Sequence, residues 1–275
     1  MRSDAAGPGD VTVVEVVGAP GAGKTTLTAL LRDELDRRAV AADTVVGRAR
    51  EHAARTRPGR IADRVRPARL RRALLWQVFY ATTSVDAACF AREHAALARC
   101  AIASQRGRPL PVRRKAHVLY WFFQLGGRLR FLHRTGRPGE VVVVDDGFLQ
   151  RTAHLYASHV EEPRRDAVDA YVALVPPPDL VVHVTAPDDV CARRVLDRGL
   201  WAHSRRLTRT DVERLVAASR HAVTCATEAA RRRGVPVVQV PNGDGGGRGL
   251  DRAVAAVVTE WLAPSPAAPR EEVAR

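Results

Sequence analysis

Lysine is almost missing from this sequence: of 44 basic residues in a chain of 275, only Lys24 and Lys115 are lysines, and the other 42 are arginines. Against 30 acidic residues the formal charge is +14. A surplus of that size ordinarily raises nucleic acid or an anionic membrane as a partner. Here the arginines run the whole length of the chain in the company of abundant Ala and Val. That reads as a compositional bias and argues against nucleic acid. Cysteine is scarce as well. Cys89, Cys100, Cys191 and Cys225 form no C-x-x-C pair and have no histidine at zinc-ligand spacing. They read as buried thiols, and a reducing, cytoplasmic compartment is expected. Long apolar runs are also absent. The best stretch, Ala73 to Ala91, is broken by Gln77, Thr82, Thr83, Ser84 and Asp86, whereas a membrane helix needs roughly 18 apolar residues. The start of the chain has one Arg, then Asp4, Pro8 and Asp10 before any apolar run, which is not the build of a signal peptide.

What is present is a globular balance, 46% hydrophobic and 27% charged, arranged in a strand–helix rhythm. Residues 1–10 read as a flexible arm, 11–262 as one domain, and the Pro/Ala/charge-rich residues 263–275 as a disordered tail. Val11 to Val17 is a β-branched run of strand length followed by glycine punctuation. From Thr25 the period becomes helical, with Leu27, Leu30, Leu31 and Leu35 on one face. Thr44 to Val46 reads as a short second strand. Residues 61–134 read as a helical insertion, divided at Pro109 and Pro111, with Gly126-Gly127 as a kink or stop and an aromatic group at Trp121, Phe122 and Phe123. Val141 to Val144 is a strand buried on both faces. Leu180 to Val184 and Val235 to Val240 are further strands. Thr185 with Asp188, and Thr210 with Glu213, read as capping starts of the helices between them. Five buried-type strands alternating with helices imply an α/β fold with a five-stranded parallel sheet.

One motif carries chemistry. Gly18-Ala19-Pro20-Gly21-Ala22-Gly23-Lys24-Thr25 matches G-x-x-x-x-G-K-[ST], between a buried strand and an amphipathic helix, which is the context that motif demands. Glycines let successive backbone N–H groups converge on a polyphosphate, and the helix N-terminus adds its positive dipole end. Lys24 is placed for the β- and γ-phosphates and the Thr25 hydroxyl for magnesium, with Thr26 completing the cradle. In a chain so short of lysine, one of the two stands where a compact ammonium is needed and a planar arginine fork would re-aim the contact.

On these residues the chain resembles the P-loop NTPase superfamily and, within it, the nucleotide and small-molecule kinases related to thymidylate kinase. The resemblance implies a three-layer P-loop fold, ATP and Mg²⁺ as cofactors, and a small-molecule acceptor; it leaves a homodimer open. Val141 to Asp145 resembles a Walker B strand, which gives Asp145 the metal and Asp146 the acceptor side, as base or ligand. Thymidylate kinases carry Asp-Arg there; this chain has Asp145-Asp146-Gly147, with Arg151 as the nearest basic residue. Arg193, Arg194, Arg198, Arg205 and Arg206 resemble the arginine lid of such kinases over about 193–209. Arg194 and Arg198, at i and i+4, are best placed to act together on the transferring phosphoryl. Arg48 stands where the family contacts its acceptor, and Asn242 where it passes the adenine.

Other readings are weighed against a kinase, and a nucleic-acid-handling P-loop protein rests on net charge alone. A GTPase needs an N-K-x-D motif and an ABC-type ATPase needs L-S-G-G-Q; the sequence has neither. A P-loop ATPase in which Asp146 orients water and hydrolysis drives a partner remains the alternative.

Overall fold

The structure is a computed structural model that describes residues 11–44, 56–108, 110–200, 207–243 and 247–262. The arm at 1–10, Arg48, Arg205, Arg206 and the tail at 263–275 lie outside the described residues.

The strands are β1 (Thr12–Val17), β2 (Ala42–Thr44), β3 (Val141–Val144), β4 (Leu180–Thr185) and β5 (Val237–Pro241). All pair in parallel, in the order β2-β3-β1-β4-β5. Four strands of at least four residues make the body of the sheet, and the three-residue β2 extends one edge. β2 ends where the sequence pattern starts the second strand, and Val45 and Val46 lie outside the described residues. Parallel strands need crossovers, and helices cover both faces. Val14 and Val16 face one layer with Leu27, Leu31 and Leu35 of α1 (Lys24–Arg37). Val17 and Val181 face the other. That alternation explains why β3 is four consecutive valines, all buried.

The insertion holds four helices: α2 (Arg57–Asp63), α3 (Ala68–Glu93), α4 (Ala95–Arg106) and α5 (Val112–Thr135). Gly126-Gly127 does not stop α5. It lets α5 lie close on α3, since a Cβ on Gly127 would fall 2.6 Å from the Thr83 carbonyl oxygen. Asp86 of α3 fastens the same crossing by accepting from Arg134 at 2.9 Å. Phe122 is fully buried against Phe148 and Tyr171.

Four more helices follow: α6 (Arg151–Tyr156), α7 (Arg165–Leu174), α8 (Asp188–Arg198) and α9 (Arg209–Arg232). The chain closes with α10 (Gly247–Val257) and a π-helical turn, Val258–Leu262. Two caps differ from the sequence reading. The N-cap of α8 is Pro187, which has no side-chain acceptor, so Asp188 and Asp189 serve the first turn by charge alone. The box on α9 is Thr208 with Asp211: the extended backbone of Thr208 lets its hydroxyl accept from Asp211 N–H at 3.2 Å, and Thr210 is already helical. Among the described residues no helix is long and apolar enough to cross a membrane.

His183 of β4 is 3% exposed and its Nδ1 has no partner. Burial, helped by Arg231, lowers its pKa to about 4. The unfolded chain takes up this proton near pH 6.5 and the folded one near 4, so His183 subtracts no stability above about 6.5 and progressively more as the pH falls towards 4. The expected loss is on the order of 3 kcal/mol. Urea unfolding of the wild type and His183→Leu across this range checks it: the variant should lack that part of the acid destabilisation.

Candidate active site at the phosphate loop

The loop from Gly18 to Thr25 joins β1 to α1 at the carboxyl edge of the sheet, where open α/β sheets bind ligands. Gly21 and Gly23 have φ of 83° and 101°, a backbone region that side chains rarely adopt. Space forbids a side chain as well: a Cβ on Gly21 would lie 2.3 Å from the Cys191 carbonyl oxygen, and one on Gly23 2.1 Å from Asn242 Nδ2. α1 has no side-chain cap and no acid in its first turn. Its leading N–H groups are thus left for an anion. Lys24 Nζ donates to the Gly18 and Ala19 carbonyls at 2.8 and 3.1 Å. Burial lowers its pKa to about 8, with Asp146 and Asp145 opposing. Thr25 and Thr26 are exposed at the cleft.

β3 delivers Asp145 and Asp146 to the same cleft. The two carboxylates differ in surroundings. Asp145 is exposed. Asp146 is ion-paired through Oδ2 with Arg151, which is 6% exposed, while Asp146 Oδ1 and Arg151 Nε are buried without a partner. The pair stands at the start of α6, so the acidic turn after β3 and the first residue of the next helix form one unit.

The structure gives Arg194 a specific task. Its guanidinium donates to the Gly21 carbonyl at 3.3 Å and to the Asn242 and Gly243 carbonyls at 3.2 Å each. Asn242 Nδ2 donates to the Ala22 carbonyl at 2.7 Å, and Asn242 N–H to the Thr185 carbonyl at 2.7 Å. Arg194 and Asn242 together brace the phosphate loop against the loop after β5. Arg198, one turn on, lines the cleft. Arg194 lines the same cleft, and its carbonyl contacts give it a bracing role beside the one expected of the pair. Arg194→Ala should weaken ATP binding roughly tenfold by loosening the loop, and Arg198→Ala should act mainly on kcat. Isothermal titration beside single-turnover transfer decides it; equal effects on both constants would show that they still act as a unit.

The cleft has a volume of about 1460 Å³, and its far wall is the first half of α5 with the loop before it: Arg108, Arg113, Arg114, His117, Tyr120 and Trp121. Trp121 Nε1 donates to His117 Nε2 at 3.0 Å, and its ring packs edge-on to Tyr80 and Tyr120. The Arg128 guanidinium lies 5.4 Å from the Trp121 ring centre. Arg108 donates to the His154, Leu155 and Ala157 carbonyls at 2.9, 2.9 and 2.6 Å, and so ties this wall to the end of α6. Burial and neighbouring Arg114 lower the Arg108 pKa. Of this wall, sequence reasoning singled out Trp121 alone. Arg113-Arg114 opening a helix after Pro111 was the available signal, drowned by the arginine background.

Among the described residues, no group of three or more His, Cys, Asp or Glu is placed to hold a metal by itself. A hydroxyl on Thr25 and a carboxylate on Asp145 are hard oxygen donors that suit magnesium sharing its shell with phosphates and water.

No protein-family model matches the chain, and no curated protein does. Solved structures similar to it include TT1252 from Thermus thermophilus, 19% identical, covering 92% of this chain and 100% of that one at a TM-score of 0.38. Shikimate kinase from Acinetobacter baumannii in complex with shikimate is 11% identical, covering 90% and 92% at a TM-score of 0.36. Scores this low carry no argument. The class, an α/β fold with a parallel sheet, rests on the strand order, the glycine-rich strand–loop–helix unit and the acidic turn beside it.

Proposed function

We propose that the protein is a cytoplasmic, ATP-dependent kinase that moves the γ-phosphoryl group to a small acceptor carrying negative charge. The observation behind this reading is the mixed lining of one cleft. The phosphate loop, Lys24 and Thr25 share it with Arg108, Arg113, Arg114 and the aromatic residues of α5, and with Arg151 at the start of α6. A hydrolase that merely positions water has no use for this further basic lining.

In the mechanism, the loop from Gly18 to Thr25, with Thr26, holds the β- and γ-phosphates, and Asn242 lies on the adenine side. Magnesium, where bound by Thr25 and Asp145, would neutralise charge developing on the phosphates. Lys24 exchanges its two carbonyl partners for phosphate oxygens, which explains a half-buried ammonium held in reserve against its own loop. Arg198 stabilises the transferring phosphoryl. Arg113 and Arg114 attract the acceptor's anion, and Arg151 fixes the orientation of the Asp146 carboxylate at the acceptor side of the cleft. If the nucleophile is a hydroxyl, Asp146 takes its proton as the new P–O bond forms and the bond to the ADP oxygen breaks. If it is a phosphate oxygen, as in a nucleoside monophosphate, no base is required.

The test is ADP release from MgATP, alone and with a panel of nucleoside monophosphates, nucleosides, sugar alcohols and hydroxylated antibiotics. A kinase is nearly idle alone and turns over with one class, the anionic members above all. Steady hydrolysis that no acceptor stimulates would instead identify an ATPase.

A further inference from the structure

A single acid sits inside β1, among the valines of T-V-V-E-V-V, and the phosphotransfer reading leaves it unused. Glu15 is 4% exposed and lies opposite Val144, the last residue before the acidic turn. Its carboxyl rests against the bare α-carbon of Gly147, where a Cβ would fall 2.3 Å from Glu15 Cδ. Glu15 Oε1 accepts the Gln150 N–H at 2.8 Å, and the carboxyl also accepts from the Leu149 N–H. Those donors stand at the start of α6, beside the Asp146–Arg151 pair. The Gln150 side chain then reaches back, and its Oε1 accepts the Gly18 N–H at 2.9 Å. Gly18 is the first residue of the phosphate loop. A continuous buried chain of hydrogen bonds thus runs from β1 to the acceptor-side helix and back to the nucleotide side.

We propose that Glu15 and Gln150 are positioning residues, a buried link that sets the spacing between the phosphate loop and the Asp146–Arg151 pair. The claim rests on the kinase reading for its consequence, though the link itself is independent of it. An acid within a valine strand is costly unless its oxygens are used. Only this route uses them: Arg151, the cation within electrostatic reach, is already paired with Asp146. Burial pushes the Glu15 pKa up to about 8, more than its two backbone donors offset. At neutral pH glutamine is therefore a close stand-in for it, in shape and in charge. Phosphoryl transfer between two separately held groups is sensitive to small displacements, about 100-fold for roughly 1 Å.

The experiment compares Glu15→Gln, Glu15→Leu, Gln150→Leu and the Leu–Leu double variant. Amide exchange at Gly18, Leu149 and Gln150 is read by NMR in the nucleotide-free protein. MgATP affinity is measured by titration, and turnover with MgATP and the acceptor panel described above. Glu15→Gln should keep wild-type protection and turnover within about twofold. Glu15→Leu should expose Leu149 and Gln150 and lower kcat about 10- to 100-fold, with MgATP affinity within about threefold. Gln150→Leu should expose Gly18 alone and cost a similar factor. The double variant should be no worse than the poorer single, because one link is broken once. Turnover per folded molecule that stays at wild type in either Leu variant would overturn the proposal, as would a Glu15→Gln variant as impaired as Glu15→Leu. A wild type idle with every acceptor sinks the kinase reading instead, while the exchange data still decide whether the link exists.

Discussion

Lys24→Ala is expected to cut phosphoryl transfer at least about 100-fold, which is about 2.7 kcal/mol of transition-state stabilisation, and to leave the fold intact. Its Nζ is half-buried and donates to the Gly18 and Ala19 carbonyls. Burial brings its pKa down to about 8, and phosphate oxygens in place of the carbonyls would favour its charged form. Lys24→Arg should fail nearly as badly. A planar guanidinium fork presents its donors in a different geometry from a compact ammonium and would re-aim the contact. Single-turnover transfer with saturating MgATP, beside thermal unfolding of each variant, is the measurement. Wild-type turnover in either one would remove the phosphate loop from the mechanism.

Asp146→Asn carries the second large effect. Its Oδ2 is fixed by a buried arginine and its Oδ1 is unpartnered, so the carboxylate is oriented but not used up. Transfer to an acceptor hydroxyl should drop by roughly 10²–10⁴-fold, the usual scale for a lost general base, with ATP affinity almost unchanged. Asp145→Asn should behave differently, raising the magnesium requirement of every reaction of bound ATP. A magnesium titration with single-turnover transfer for both variants separates them. Equal defects in ATP binding would assign both carboxylates to the metal. A defect below about tenfold in Asp146→Asn would place the attacking atom on a phosphate group, which brings its own negative charge. Acceptor-independent hydrolysis in the wild type, lost in Asp146→Asn, would favour the ATPase.

The sequence by itself determined most of the parallel sheet and the strand–loop–helix around Gly18 to Thr25, because both are local. Four valines at 141–144 announce a strand buried on both faces whatever surrounds it, and a glycine-rich loop needs only its own backbone torsions to cradle phosphate. Caps were less legible: Thr208 and Thr210 are chemically alike, and only the extended backbone of Thr208 decides which of them starts α9. The tertiary structure alone decided that α5 lines the same cleft, that Arg194 meets the carbonyls of two loops, and that Glu15, Gln150 and Gly18 are linked. Each depends on groups far apart in the chain meeting across the cleft. Arg194 reaches carbonyls at Gly21 and Gly243, and Gln150 reaches Gly18. In a chain with 42 arginines the residue type says nothing about which guanidinium will find a carbonyl, a carboxylate or open cleft. Hydrogen-bond partners over such separations are set by how helices pack on a twisted sheet, and that information is in no single segment.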